Sequence, residues 1–266
     1  MAKQLQALTP YPEINFVLLD LLSRAQAILG DRFMGLYLYG SLASGDFNPH
    51  QSDIDFIVVT ENDLPDAIVS ELKAMHLRLA SSNSKWAQKL EGVYIPKQYL
   101  PRYNPTDPPI ATINEGRFYM ARQGSDWVIQ RHILREQGAV ITGPSLWDLI
   151  DPVCPQDLRK AVLAILHEWW QPMLGDPARL ETPEYQPYAV FSMCRALYTL
   201  EHGSIASKGD SAEWAMTALD QEWAGLIKRA LAWRRGQETE SIDQTLDFIK
   251  FAIEHSRQFD ATKNRE

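Results

Sequence analysis

The chain has 266 residues, 45% of them hydrophobic, which suits one large or two ordinary globular domains and excludes a disordered chain. Its 34 acidic against 26 basic side chains give a net charge of -8, which repels a polyanion over most of the surface, argues against nucleic acid as the main partner and favours cations, metallic or organic. Cys154 and Cys194 stand in no zinc or redox spacing, and no signal-peptide core or run of about 20 apolar residues is present, so a cytoplasmic protein with no membrane contact is expected.

The first predicted element is a helix in which Ile14, Val17, Leu18, Leu21, Leu22 and Ala25 recur at helical spacing up to a stop at Gly30. "FMGLYLYG" and "IDFIVVT" read as strands, and a helix runs from Pro65 to about Ser81 through Ile68, Leu72, Met75 and Leu79. "KLEGVYIP" is a third strand. The stretch 96–110 carries Pro96, Pro101, Pro105, Pro108 and Pro109 and reads as irregular loop. "NEGRFYMARQ" is a further extended piece, "SDWVIQRHILREQG" a short helix with Ser125 or Asp126 near its cap, and "AVITGP" a short strand. From Gln156 onward only helical patterns occur, at about 156–174, 184–202, 207–219, 221–235 and 241–258. The spacing therefore predicts two domains, an α/β half over 1–152 and an all-helical half over 153–266.

Within "YGSLASGDFNPHQSDIDFIVV", Asp53 and Asp55 are two residues apart in a strand and project to the same side, while Ile54 and Phe56 project to the other. Neighbouring carboxylates repel unless a cation lies between them. Mg²⁺ suits the pair, because it takes oxygen from one or two carboxylates and completes its shell with substrate phosphates and water. Upstream, Gly40-Ser41 ends a strand where a tight turn can aim backbone N–H groups and a hydroxyl at a phosphate. His50, in the loop between, reads as a solvated histidine, and none of the six histidines has a metal-binding spacing.

A GS pair after a first strand, followed about a dozen residues later by DxD, resembles the nucleotidyltransferase superfamily of the DNA polymerase β type. The resemblance implies that Gly40 and Ser41 meet a nucleotide triphosphate and that Asp53 and Asp55 bind Mg²⁺. It also implies an α+β domain whose mixed sheet is flanked by helices. The superfamily commonly adds a third carboxylate, and Glu91 in "KLEGVYIP" fits that place, either as a metal ligand or as the base that takes a proton from the attacking hydroxyl. Small-molecule adenylyltransferases of the superfamily favour the base.

"CRALYTLEHGSIASKGDSAEWAM", residues 194–216, resembles the C-terminal helical domain of the streptomycin and spectinomycin adenylyltransferases. That match implies Arg195 and Lys208 on the ATP phosphates, with Ala212, Trp214 and Ala215 as packing. The chain departs from the family where it contacts the drug. "NEGRFYMARQ" has no Trp, and the stretch before Arg195 is longer than expected, so Trp170, Asp176, Glu181, Glu184, Tyr185 and Tyr188 are the candidates for an acceptor cleft. Trp169 and Trp170 also read as core residues, since adjacent aromatics on a helix usually bury at least one ring.

The resemblance thus implies an enzyme of the aminoglycoside 3''-adenylyltransferase type, and a monomer is expected. It would use ATP and two Mg²⁺ ions to move AMP to a hydroxyl of a small cationic acceptor. Two rivals are an adenylyltransferase for a different metabolite or protein, and a non-catalytic nucleotide-binding or antitoxin-like protein.

Overall fold

Six short apolar runs in the first half of the chain pair into one mixed sheet. They are β1 (Phe33–Leu38), β2 (Ile54–Thr60), β3 (Leu90–Pro96), β4 (Ile110–Asn114), β5 (Arg117–Ala121) and β6 (Ala139–Thr142), in the order β5-β4-β3-β2-β1-β6. The computed structural model describes residues 8–49, 52–82, 84–114, 116–234, 236–237 and 241–260, so His50 lies outside the described residues. Only β2 and β3 run parallel; the other neighbours are antiparallel. Strands β1 to β3 are interior and covered on both faces, which is why they read as nearly unbroken apolar runs rather than as alternation.

Helices α1 (Pro12–Leu29), α2 (Gly40–Ser44), α3 (Asp66–Ala80), α4 (Asp126–Gln137) and α5 (Leu146–Leu149) complete this half. Proline opens α1, where a missing N–H costs nothing, and Gly30 closes it at φ 53°. Along β2 the side chains alternate. Phe56 and Val58 enter a core shared with Leu18 and Leu21 of α1 and Leu72 and Met75 of α3. Ile57 and Val59 enter a second core with Tyr37, Val93, Ile95 and Leu134 of α4. By the same alternation Asp55 belongs to the second face. Three elements were not expected: the short helix α2, β4, which directly follows Pro108-Pro109, and the single turn α5.

Residues Val153–Glu266 form the second of two compact units, the first being Met1–Pro152. The second unit is helical: α6 (Pro155–Ile165) continues through a π-helical stretch Leu166–Trp170 into α7 (Gln171–Met173), followed by α8 (Tyr185–His202), α9 (Lys208–Ala218), α10 (Gln221–Ala232) and α11 (Asp243–Asp260). The single helix expected over 156–174 is therefore interrupted, next to Pro172, which has no N–H to offer the ladder. Helix α8 is the core of the unit, with Ala189, Val190, Met193, Leu197 and Leu200 buried. It ends at Gly203 in the left-handed region, φ 65°, and Arg159 donates to the last carbonyls, Leu200 O at 2.7 Å and Glu201 O at 3.0 Å. Among the described residues no helix is long and apolar enough to cross a membrane.

Candidate active site

The ladder sets the first distances of the site. β1 pairs with β2 up to Leu38↔Phe56, and Tyr39 N donates to Asp55 O at 3.2 Å, which extends the pairing by one residue. On the other side, the parallel ladder places Asp55 opposite Glu91. Tyr39, Asp55 and Glu91 therefore form one row across three adjacent chains, at a strand spacing of about 4.8 Å, on the face that carries the second core. Burial raises the Tyr39 phenol above its usual range; Asp55, then Glu91, then Asp126 add to the shift. A neutral hydroxyl thus has three carboxylates as its electrostatic neighbours.

Gly40 follows immediately. It stands at φ 64°, and a Cβ there would lie 2.1 Å from Asp55 Oδ2, so the main chain meets the carboxylate where no side chain fits. Gly40 and Ser41 open the short helix α2 rather than the tight turn expected. Asp53 lies one residue ahead of β2, and its side chain is 41% exposed. Lys89 Nζ donates to Ser52 O at 2.9 Å and approaches Asp53 Oδ1 at 3.4 Å.

Lys89, Tyr39 and Asp126 were not singled out from the sequence as site residues, although the signal for one of them was present. Tyr39 stands two residues after Tyr37, so strand alternation puts it on the same face, whereas Lys89, two residues before Glu91, ends a 3-10 turn just ahead of β3. Asp126 opens α4; the residue as a whole is exposed, yet its carboxyl loses enough water to be raised above its usual range, against an opposing pull from Arg131.

Among the described residues no three His, Cys, Asp or Glu side chains are grouped to hold a metal ion by themselves. The donors that do gather are all carboxylate oxygens, with a glycine leaving room beside Asp55. That set fits Mg²⁺, which binds through one or two carboxylates plus substrate phosphates rather than in a protein cage.

In the helical unit Arg195 lies on α8, half-buried, and the loss of water lowers its pKa from the ordinary arginine value, with Tyr188 opposing. Among the described residues its guanidinium has no ion-pair partner, which leaves it competent for an incoming anion. Lys208 is the exposed first residue of α9, after Ser207, whose Oγ accepts from Asp210 N at 3.1 Å. Ala212 and Ala215 are fully buried, and Trp214 packs edge-on to Tyr198 at 5.4 Å.

Of the acceptor candidates, Trp170 is only 2% exposed and is a packing residue, whereas its neighbour Trp169 is 42% exposed. Trp170 packs in tilted contact with Tyr185 at 6.1 Å and Tyr188 at 5.8 Å, so it supports those two rings instead of offering its own. Tyr188, Asp176, Glu181 and Glu184 are exposed, and Tyr185 is half-buried.

The family model "Nucleotidyltransferase domain" matches residues 26–113, and "Aminoglycoside adenylyltransferase, C-terminal domain" matches residues 148–258. The aminoglycoside (3'') (9) adenylyltransferase of Escherichia coli is 25% identical over 257 residues, covering 90% of this chain and 93% of that protein. The spectinomycin 9-adenylyltransferase of Campylobacter jejuni is 23% identical over 251 residues, covering 88% and 93%. The crystal structure of the spectinomycin adenyltransferase AAD(9) from Enterococcus faecialis, with ATP and spectinomycin, superposes with a TM-score of 0.73 at 18% identity, over 91% of this chain and 98% of that one, and shows a common fold.

Proposed function

This chain belongs to the aminoglycoside adenylyltransferase-like nucleotidyltransferases, and on that premise we propose that it moves AMP from ATP to a hydroxyl of a small cationic acceptor of the streptomycin or spectinomycin class. The observation that carries the reading is the row in which Asp55 stands opposite Glu91 while Gly40 lies against Asp55 Oδ2. Clustered carboxylates beside a glycine cradle are poor for stability and suited to a cation carrying a polyphosphate.

Asp53 and Asp55 are the ligands assigned to Mg²⁺, two ions as the family resemblance implies, and Glu91 is assigned first to the base, with metal binding as its alternative. When bound, Mg²⁺ neutralises charge on the triphosphate and on the departing pyrophosphate. Gly40 and Ser41 bring main-chain N–H groups and a hydroxyl to the phosphates. In the helical unit, Arg195 and Lys208 are the cations that the family resemblance assigns to ATP phosphates, where such groups hold charge that spreads over the oxygens as the bond breaks. Glu91 takes the proton of the acceptor hydroxyl, whose oxygen attacks the α-phosphorus in line, and pyrophosphate leaves. The exposed carboxylates Asp176, Glu181 and Glu184 and the rings of Tyr185 and Tyr188 are assigned to a cationic acceptor, with Trp170 behind them.

The test is pyrophosphate release with ATP and Mg²⁺ against streptomycin, spectinomycin and a panel of other aminoglycosides, with Asp53→Asn as the blank. Product mapping then distinguishes a 3''-hydroxyl from a 9-hydroxyl. Release with one of these acceptors, lost in Asp53→Asn, is the expected result. ATP binding without release across the panel would overturn it in favour of a nucleotide-binding partner protein.

A further inference from the structure

We propose that Lys89 is a positioning residue of the nucleotide site, holding Asp53 where it can meet a divalent cation and its triphosphate; the inference rests on the nucleotidyltransfer reading above. Asp53 is the one carboxylate of the group that the sheet does not hold. β2 begins at Ile54, whose partner across the parallel ladder is Leu90, and no ladder pair includes residue 53. Lys89 stands at the matching place on the neighbouring chain, one step outside the same pair and two residues before Glu91.

Its ammonium joins two groups of the incoming loop at once: the main-chain carbonyl of Ser52 at 2.9 Å and Oδ1 of Asp53 at 3.4 Å. Oδ2 of Asp53 has no protein partner among the described residues and is left for an outside cation. The Lys89 side chain is only 18% exposed, and its ammonium lies 5.8 Å from the centre of the Trp86 ring. Trp86 in turn packs on Phe47 at 5.6 Å, and Phe47 on Tyr11 at 5.0 Å, so the loop before β2 is anchored at Phe47 and again at Ser52 and Asp53.

An ordinary surface ion pair joins two mobile side chains and contributes little. Here the shorter contact goes to main chain, from a mostly buried lysine, so the bond fixes where the loop enters the strand. The ammonium also offsets the mutual repulsion of Asp53, Asp55 and Glu91 before any cation arrives. Groups that orient metal ligands in this way typically change metal affinity about 10- to 100-fold when removed.

The experiment measures binding of Mn²⁺ with ATP by electron paramagnetic resonance and calorimetry, without acceptor and without turnover, in the wild type, Lys89→Met and Lys89→Arg, with thermal melting of each. The expected result is about tenfold weaker Mn²⁺–ATP binding by Lys89→Met at an unchanged Tm, with most of the loss recovered by Lys89→Arg. Should Lys89→Met fail to fold, Lys89→Gln, which keeps a donor for the Ser52 carbonyl but no charge, takes its place. Wild-type affinity in the uncharged variant overturns the role of Lys89 alone. Tighter binding overturns it too, and makes Lys89 a competitor of the metal. A wild type that binds no Mn²⁺–ATP overturns the nucleotidyltransfer reading, and this inference with it.

Discussion

The two faces of the sheet treat polar groups in opposite ways. On the face covered by α1 and α3, His76 and Tyr94 are buried together, Nε2 and the phenol oxygen 2.8 Å apart, with the His76 ring stacked against Phe118 at 5.6 Å and Phe56 at 6.0 Å. Burial lowers the His76 pKa to about 4, so the pair is neutral and complete except for Nδ1, which has no partner. On the other face Asp55 and Glu91 are neighbours of like charge around the phenol of Tyr39, half-buried and beside a glycine. The first arrangement satisfies itself and serves stability. The second brings like charges side by side, an arrangement that costs stability and suits a site for a cation.

The largest effect separating the faces is expected from Glu91→Gln, which should lower pyrophosphate release by about 10²- to 10⁴-fold while ATP affinity and Tm hold, as removal of a general base does. Steady-state kinetics beside calorimetric ATP titration checks it; equal losses in both would move Glu91 from base to metal ligand. His76 is the converse case, with an effect on stability alone. Its folded pKa of about 4 lies below the unfolded value of about 6.5, so its contribution is complete above pH 6.5 and is lost as pH falls towards 4. Across that window the loss is roughly 3 kcal/mol, read from urea unfolding at pH 7, 5.5 and 4, and His76→Phe should flatten that part of the slope. The smallest effect is Gly40→Ala, where a positive φ and the approach to Asp55 Oδ2 together cost about 1–3 kcal/mol. It should weaken ATP binding measurably by calorimetry, and unchanged binding would show that the glycine cradle does not meet the nucleotide.

Much of the site was legible because it is local. The GS pair, the strand that carries Asp55 and the helical periods after residue 156 follow from spacing along the chain, whereas Asp53, expected inside that strand, lies one residue ahead of it. Other features had no local signature. β4 follows a proline pair that reads as loop, α6 passes into a π-helical stretch beside Pro172, and Trp170 faces inward while Trp169 does not. The first and last of these depend on what another segment presents, a strand edge and a pair of tyrosines, and the second on where in its helix Pro172 falls.

By itself the sequence determined most of the element types, the two-part organisation and the presence of the GS and DxD residues, because periodicity and turn chemistry act over a few neighbours. Only the tertiary structure decided that β2 and β3 lie side by side in parallel, that Asp55 therefore meets Glu91, that Gly40 closes on Asp55, and that Lys89 reaches Ser52 and Asp53. Those pairings span tens of residues and are chosen by burial of the two cores on either side of the sheet, which no local pattern encodes.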